Sequence, residues 1–237
     1  MRLSAPVFRL KRQAKALSRK AGIPLSLALD RIAKGEGFQN WSLLAARIST
    51  SPPTRKLLAQ LTPGDLVLLG ARPGHGKTMM GLQLIVEAIK EGRRGFFYTL
   101  EDNESDVLKR LASISKNPAI LSGTFELDTS NQISAAYIID QLQSVPRGTV
   151  VVIDYLQLLD QKRENPELAV QISELKSFAS KAGLIVVLIS QIDRSYDLSG
   201  KPLPDISDVR LPNPVDLTLF NKTCFLNDGE IQFGAVA

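Results

Sequence analysis

One stretch of eight residues constrains the fold of this chain more than any other part of its sequence. The stretch is Ala71–Thr78 (Ala-Arg-Pro-Gly-His-Gly-Lys-Thr), which follows an apolar run and precedes a pattern that predicts a helix. A glycine-rich turn between a strand and a helix is typical of a phosphate-binding loop, or P-loop, because its backbone N–H groups can turn inward around phosphates. The positive end of the helix dipole adds to this attraction. The sequence therefore predicts a nucleotide-binding α/β domain.

Two residues at the end of this P-loop carry its expected chemistry. Lys77 would neutralise the β- and γ-phosphates of ATP, and Thr78 would ligate Mg²⁺. The first position of the motif, usually glycine, is alanine here, a departure that some P-loop families share. His75 lies in the variable part of the loop, where we favour a solvent-facing spacer over a catalytic role. The residues predicted to contact the nucleotide are Ala71, Arg72, Pro73, Gly74, His75, Gly76, Lys77, Thr78 and Met79.

Strand and helix patterns alternate through the rest of the chain, which is the signature of a mostly parallel sheet flanked by helices. The predicted strands are 65–70, 95–100, 124–128, 149–153 and 184–190. The predicted helices are 76–91, 104–115 with Asn103 as its cap, 132–145 and 166–182. Two long polar loops remain at about 157–166 and 192–205, and loops of that length in a compact domain are usually functional.

Three polar residues close predicted strands and are candidates for the chemistry of a nucleotide site. Asp154 ends an apolar run and resembles a Walker B carboxylate that holds Mg²⁺ through water. Glu101 follows the strand that we expect beside the P-loop, where it can polarise an attacking water, although it can equally be an ordinary loop acid. Gln191 closes the last core strand, where it is either a sensor of the γ-phosphate or simply a polar strand end.

The first 50 residues form a separate, basic segment. They carry ten Lys or Arg residues and two acidic residues, a net charge of +8. The other 187 residues carry nineteen Lys or Arg residues and twenty-two acidic residues, a net charge of −3. Three short helices are expected, at 8–20, at 26–33 and from a cap at Asn40 through about Ile48, with Trp41 and Leu44 in a small core. A linker follows at 49–53. We therefore predict an all-α domain at 1–50 and an α/β domain at 51–237. The charge is equally consistent with two interpretations, a polyanion-binding module and a basic helix that is simply solvated.

Composition excludes several other classes of protein. The chain has one cysteine and one histidine, so an internal disulfide framework and a zinc site built from these residues are both excluded. Its longest apolar runs are short and predict buried strands rather than a membrane span. We therefore expect a cytoplasmic protein.

Several short motifs, taken in order, resemble one known family. They are Ala71-Arg72-Pro73 before Gly76-Lys77-Thr78, Thr99-Leu100-Glu101, Val152-Ile153-Asp154-Tyr155-Leu156-Gln157-Leu158, Ser190-Gln191 and Ser207-Asp208-Val209-Arg210. The series looks like the C-terminal motor domain of DnaB-type hexameric helicases over about residues 55–220. The resemblance implies a RecA fold that uses ATP and Mg²⁺, with Lys77 in the catalytic centre, Glu101 as the catalytic carboxylate and Gln191 as the sensor.

The resemblance also implies that the two long loops face single-stranded DNA in the channel of a ring. The candidate nucleic-acid contacts are therefore Arg163, Glu164 and Asn165 in the first loop and Arg194 and Lys201 in the second. The basic N-terminal segment adds four further candidates. These are Arg9, Lys11, Arg12 and Lys15.

Three departures from the family pattern bear on what the chain can do. The large N-terminal primase-binding domain of the family is not seen, and the stretch Leu211–Pro214 is shorter than the family equivalent. The family also ends with a Lys-x-Arg element that reaches the ATP site of the neighbouring subunit, whereas Lys222 is the only basic residue after Arg210 here. Since such an arginine finger contributes roughly a thousandfold or more to rate, we expect slow hydrolysis and a monomer or nucleotide-dependent assembly rather than a permanent hexamer.

The sequence therefore predicts a DnaB-like, DNA-dependent ATPase. The alternative is a RecA-like ATP switch that binds DNA or a protein partner without unwinding. A third possibility is a DNA-binding regulator whose ATP site only stabilises the fold, although Glu101 favours hydrolysis over this reading.

Overall fold

The computed structural model describes residues 4–5, 7–48, 53–115, 121–160, 165–210, 215–227 and 230–236. The chain divides into two compact units, a small one formed mainly by residues before Thr54 and a large one formed mainly by residues from Thr54 onward. Within the described residues, no helix is both long and apolar enough to cross a membrane.

The small unit contains three helices, α1 (Val7–Ala21), α2 (Leu25–Gly35) and α3 (Trp41–Ile48). The side chain of Asn40 caps α3 by accepting a 2.9 Å hydrogen bond from the backbone N–H of Leu43, as the sequence predicts. Fully buried apolar residues from each helix meet in one small core, with partly buried residues packed around it. They are Leu10, Ala33 and Leu44, surrounded by Ala5, Ile32, Phe38 and Trp41.

The large unit is built on a seven-stranded sheet. Its strands are β1 (Leu66–Ala71), β2 (Gly95–Thr99), β3 (Phe125–Asp128), β4 (Val150–Asp154), β5 (Ile185–Gln191), β6 (Lys222–Asn227) and β7 (Glu230–Ala235). Their order across the sheet is β3-β2-β4-β5-β1-β6-β7, and every pairing from β3 to β6 is parallel. The predicted fold class is confirmed, but the last two strands were not expected from the sequence.

Five helices belong mainly to this unit. They are α4 (Pro53–Leu58), α5 (Lys77–Lys90), α6 (Glu104–Ile114), α7 (Ala135–Gln141) and α8 (Leu168–Ala182). The predicted cap of α6 is confirmed, because the side chain of Asn103 accepts a 3.0 Å hydrogen bond from the N–H of Asp106. The predicted helix at 132–145 was too long, because Ser134 caps α7 at its start and the helix ends at Gln141.

Three predicted loops also differ from the structure. Pro53 begins α4 instead of ending a linker, and residues 49–52 lie outside the described residues. Parts of the two long loops are 3₁₀ helices, at Leu156–Asp160 and Arg194–Leu198. In these turns the backbone N–H groups donate to carbonyl groups three residues earlier, so the connecting segments form hydrogen bonds within themselves.

The central strands β1, β4 and β5 are buried along almost their whole length. Alternate residues of each strand point to opposite faces, so β1 contributes Leu66 and Leu68 to one core and Val67 and Leu69 to the other. Helix α8 packs against the first face and α5 against the second. Gly81 of α5 lets that helix approach closely, since a Cβ there would lie 2.9 Å from Cγ1 of Val152. This double packing fixes the edge of the sheet from which the functional residues project.

Candidate active site

The carboxyl ends of four parallel strands bring the predicted residues to one edge of the sheet. The P-loop follows β1, Asp154 ends β4, Gln191 ends β5, and Glu101 lies two residues beyond the end of β2. The expectation that β2 lies beside the P-loop strand was wrong, because β4 and β5 separate it from β1. Glu101 reaches the P-loop nevertheless, through contacts of its side chain.

Two glycines determine the shape of the P-loop. Gly74 and Gly76 have φ angles of +80° and +86°, a region that residues with a Cβ rarely adopt. Between them the backbone makes a turn in which the N–H of His75 donates to the carbonyl of Arg72 at 3.1 Å. Helix α5 then begins at Lys77. The loop therefore presents the start of a helix, with its positive dipole end, towards the edge of the sheet.

Lys77 lies between two carboxylates. Its Nζ donates to Oε2 of Glu101 at 2.8 Å and lies 3.6 Å from Oδ1 of Asp154. The same ammonium lies 5.6 Å from the ring centroid of Tyr155, and its side chain is only 8% exposed. Burial by itself lowers the pKa of Lys77, but the charges of Asp154 and Glu101 outweigh burial and raise that pKa above its usual value. The site therefore holds a protonated, largely desolvated cation.

Asp154 is fully buried beneath the P-loop. Among the described residues, neither of its carboxylate oxygens meets a donor with hydrogen-bond geometry. Burial raises the pKa of Asp154, while the charge of Lys77 and the nearby hydroxyl of Thr78 act to lower it. A buried carboxylate in this state marks a place where an ion or a water can bind. Oxygen donors of this kind suit Mg²⁺, so Asp154 and Thr78 fit the predicted metal site.

Glu101 is held by three neighbours. One oxygen contacts Lys77, and the other accepts a 3.4 Å hydrogen bond from Nε2 of Gln191. Its backbone N–H donates to the hydroxyl of the fully buried Thr99 at 3.1 Å. The side chain remains 34% exposed. Glu101 is therefore oriented at the boundary between the buried pair and solvent, where a carboxylate can contact water.

These groups line a cleft of about 280 Å³. As far as the described residues define it, the lining is Pro73, Gly74, Gly76, Lys77, Thr78, Met79, Glu101, Asp102, Arg110 and Gln191. Six of the nine predicted nucleotide contacts are in this set. Sequence reasoning considered Asp102 only as a replacement for Glu101 as the base. It missed Arg110, which forms an ion pair with Asp102 at 2.7 Å between Nε and Oδ2, and the supporting role of Thr99.

The remaining three predicted contacts lie elsewhere in the described structure. Ala71 is buried as the last residue of β1, and His75 is half-buried in the turn of the loop. Arg72 turns towards the segment after β5, where it forms two hydrogen bonds with the carboxylate of Asp197, at 2.8 and 3.0 Å. Its third donor reaches the carbonyl of Ile192 at 3.0 Å. Arg72 therefore connects the P-loop to the segment that follows Gln191.

The predicted nucleic-acid contacts in the two long loops are not equally available. Arg163 and Glu164 lie outside the described residues, and the side-chain amide of Asn165 donates to the carbonyl of Leu159 at 3.2 Å. Arg194 is exposed. Lys201 is held by two carboxylates, Asp205 at 2.9 Å and Asp208 at 3.0 Å, so its charge is largely compensated.

The candidates in the small unit are more accessible. Lys11, Arg12 and Lys15 are exposed on α1, whereas the side chain of Arg9 lies outside the described residues. Their role in binding stays a prediction.

Comparisons with known proteins show the family and the fold of the chain. A family model described as AAA domain matches residues 36–195. A probable plasmid replicative DNA helicase of Chlamydia trachomatis serovar L2 is 24% identical over 217 residues, which covers 74% of this chain and 48% of that protein. The replicative DNA helicase DnaB of Leifsonia xyli subsp. xyli is 26% identical over 181 residues, which covers 63% of this chain and 40% of that protein. The chain thus spans about half the length of the first of these relatives.

Solved structures agree on the fold. One solved ATPase domain superimposes with a TM-score of 0.59 at 19% identity, covering 77% of this chain and 80% of that one. A DnaB-like replicative helicase, solved in a study of its interactions with primase, gives the same TM-score at 18% identity and covers 92% of this chain and 64% of that one. The RecA-like fold and the resemblance to DnaB-type helicases that the motifs predicted are both confirmed.

Proposed function

This chain belongs to the AAA domain family, and from that premise we propose that it binds Mg·ATP in the cleft above β1 and hydrolyses it. The observation that carries the proposal is the position of Lys77 between Glu101 and the fully buried Asp154. A cation, a carboxylate for water and a carboxylate for a metal are the three side-chain functions that phosphoryl transfer to water requires.

The nucleotide-free contacts suggest how binding prepares the site. Lys77 is engaged by Glu101 at 2.8 Å, and the β- and γ-phosphates of ATP would compete for the same ammonium. Glu101 would then be free to accept a hydrogen bond from water and to take up its proton as that water attacks the γ-phosphorus. The bond between the γ-phosphorus and the bridging oxygen breaks, and ADP leaves with that oxygen. Mg²⁺, when bound near Thr78 and Asp154, neutralises charge on the phosphate oxygens.

Gln191 is suited to report the state of the nucleotide. Its amide contacts Glu101, and it is the last residue of β5, directly before the segment that Arg72 anchors through Asp197 and Ile192. A change at the γ-phosphate can therefore alter this segment in two ways, through Gln191 at its start and through the contacts of Arg72 with Ile192 and Asp197. Order changes that follow loss of a γ-phosphate are a known switching device in nucleotide-binding proteins.

The partner that we propose for this switch is single-stranded DNA. Relatives of the chain carry the name replicative DNA helicase, and the exposed Arg194 lies in the segment after β5. The protein would then act in the cytoplasm, where DNA is accessible. We further propose self-assembly that depends on nucleotide, since the DnaB-type helicases that the chain resembles complete each ATP site with a basic residue from the neighbouring subunit.

One observation favours the second candidate function, an ATP switch that binds DNA or protein without unwinding. Within residues 211–237 the one basic residue is Lys222, which is the first residue of β6 and is half-buried in the sheet. A lysine offers one point charge where arginine offers a planar fork. It is therefore a poor replacement for an arginine finger.

The test combines ATP turnover with and without single-stranded DNA, solution mass, and unwinding of a forked duplex. We expect slow basal turnover, at most modest stimulation by DNA, and weak or absent strand separation. A Lys77→Met variant provides the inactive control. Failure of the native chain to bind Mg·ATP would sink the proposed function, and a stable hexamer that unwinds DNA briskly would refute the argument from Lys222.

A further inference from the structure

The solvent side of helix α1 carries a continuous row of positive charge. The five basic residues from its second turn onward are all exposed, and they are Lys11, Arg12, Lys15, Arg19 and Lys20. At 100° per residue they occupy about half of the helix circumference. Leu10 and Ala14 lie on the opposite side and are fully buried in the small core. The packing of α1 therefore forces its charge outward.

Among the described residues of the small unit, no carboxylate compensates this charge. Helix α1 contains no acid, and the two acids of the first 50 residues have other partners. Asp30 accepts a 2.9 Å hydrogen bond from the N–H of Trp41, and Glu36 accepts one from the N–H of Ser4 at 2.7 Å. In the part of the chain that the structure describes, none of the ion pairs involves these five residues.

We propose that this face of α1 binds the phosphate backbone of nucleic acid, at a site separate from the ATP cleft and independent of nucleotide. The row from Lys11 to Arg19 extends about 12 Å along the helix at 1.5 Å per residue. A DNA duplex carries one negative charge per about 1.7 Å of its axis, so every side chain in the row meets a phosphate within reach. Binding through phosphates alone carries no sequence preference.

Charge complementarity distinguishes this partner from an anionic membrane surface. A basic helix that binds membranes inserts its apolar face among the lipid chains. Here that face includes Leu10 and Ala14, which are 1% and 0% exposed, and Leu10 packs in one core with Ala33 of α2 and Leu44 of α3. Insertion would require the small core to open. Phosphates, in contrast, contact the charged side without any rearrangement.

The experiment measures binding of the full chain to a labelled duplex and to a labelled single strand of equal length, without nucleotide, between 50 and 200 mM salt. The test variant is Lys11→Gln/Lys15→Gln/Arg19→Gln, whose positions are exposed. A matched control, Lys56→Gln/Lys109→Gln/Lys181→Gln, removes the same charge from exposed positions outside α1. Circular dichroism verifies that both variants are folded.

Each phosphate contact contributes about −0.9 to the slope of log K against log salt for duplex DNA and about −0.7 for a single strand. The α1 variant should therefore reduce the magnitude of the slope by about 2.7 for the duplex and about 2.1 for the single strand, and the affinity of the native chain at equal salt identifies the preferred form. The control should keep the native slope. A charge-preserving Lys11→Arg/Lys15→Arg variant should also keep it. Equal slopes for the α1 variant and its control would overturn the proposal.

Two further arms separate this site from the other hypotheses. Phosphatidylcholine vesicles with and without phosphatidylserine test the membrane alternative. Loss of vesicle binding in the α1 variant, with DNA binding unchanged, would overturn the nucleic-acid assignment. The loss of slope that the α1 variant causes should be the same with and without Mg·ATP, because the cleft lies in the large unit. Failure of the ATPase proposal therefore leaves this measurement unaffected.

Discussion

Replacing Lys77 with methionine should destabilise the nucleotide-free protein as well as abolish its binding of Mg·ATP. The ammonium of Lys77 lies 3.6 Å from the carboxylate of Asp154, which is fully buried and finds no hydrogen-bond donor among the described residues. At an effective dielectric constant of about 20, two charges at this distance attract by about 5 kcal/mol. Removing one partner of a buried pair typically costs about 3–5 kcal/mol, because the other charge is left uncompensated. We expect a loss of about this size in the free energy of unfolding.

The assay is urea denaturation at neutral pH without nucleotide. Lys90 is the matched control, because it lies on the same helix and forms an exposed pair with Glu87. Exposed pairs contribute at most about 1 kcal/mol, so Lys90→Met should have little effect. A second substitution, Asp154→Asn, removes the uncompensated charge and should recover most of the stability lost in Lys77→Met.

Two results would refute this reasoning. One is a loss in Lys77→Met no larger than in Lys90→Met, which would mean that Asp154 is solvated or protonated in the native protein. The other is a Lys77→Met/Asp154→Asn protein that is no more stable than Lys77→Met, which would place the origin of the loss outside the pair.

Two other substitutions test how the site is supported. Thr99→Val removes the hydroxyl that holds the backbone of Glu101. Loss of this hydrogen bond, about 1 kcal/mol, should reduce turnover about fivefold to tenfold while ATP affinity stays unchanged. Unaltered turnover in a variant that still binds nucleotide would exclude Thr99 as a positioning residue. Gly81→Ala puts a methyl group 2.9 Å from the side chain of Val152 and should cost about 1–3 kcal/mol through overpacking. Thermal unfolding measures this loss against Gly35→Ala, where a Cβ meets open space, and equal melting temperatures would contradict the close approach of α5.

The features that the sequence predicted well are those determined by neighbouring residues. The P-loop depends on two glycines and on the apolar strand before them, all within a dozen positions. The caps Asn40 and Asn103 act on N–H groups three residues away. Asp154 and Gln191 were expected at strand ends because buried strands have a recognisable apolar pattern, and parallel pairing then brings those ends together.

The features that were missed depend on distant parts of the chain. The order of strands is a property of the whole sheet, so nothing near Glu101 indicated that β4 and β5 separate its strand from β1. The P-loop motif gave the location of Arg72 in the sequence, but the side chain turns to Asp197, 125 residues away. The edge strand β7 is only partly buried, so it lacks the continuous apolar run that marks the central strands.

The ion pair in the cleft, which the sequence did not predict, illustrates the same limit. Asp102 and Arg110 are eight residues apart, on the loop before α6 and on α6 itself. Their positions in the cleft follow from how α6 packs against α5, which the local pattern does not contain. Thr99, in contrast, could have been found from the sequence. The hydroxyl of a threonine two residues before a catalytic acid is well placed to accept a hydrogen bond from the backbone N–H of that acid.

The central claim is that Glu101 supplies the base for ATP hydrolysis in a cleft where Lys77 and Asp154 hold the phosphates and the metal. The most direct measurement compares Mg·ATP affinity and turnover in the native chain, in Glu101→Gln, and in Glu104→Gln, which alters a nearby exposed acid of α6. Glutamine keeps the shape of the side chain but cannot accept the proton of water. We predict native affinity in all three proteins, native turnover in Glu104→Gln, and turnover reduced by about a hundredfold or more in Glu101→Gln. Native turnover in Glu101→Gln would contradict the account and assign the base to another acid of the cleft, with Asp102 the first to test.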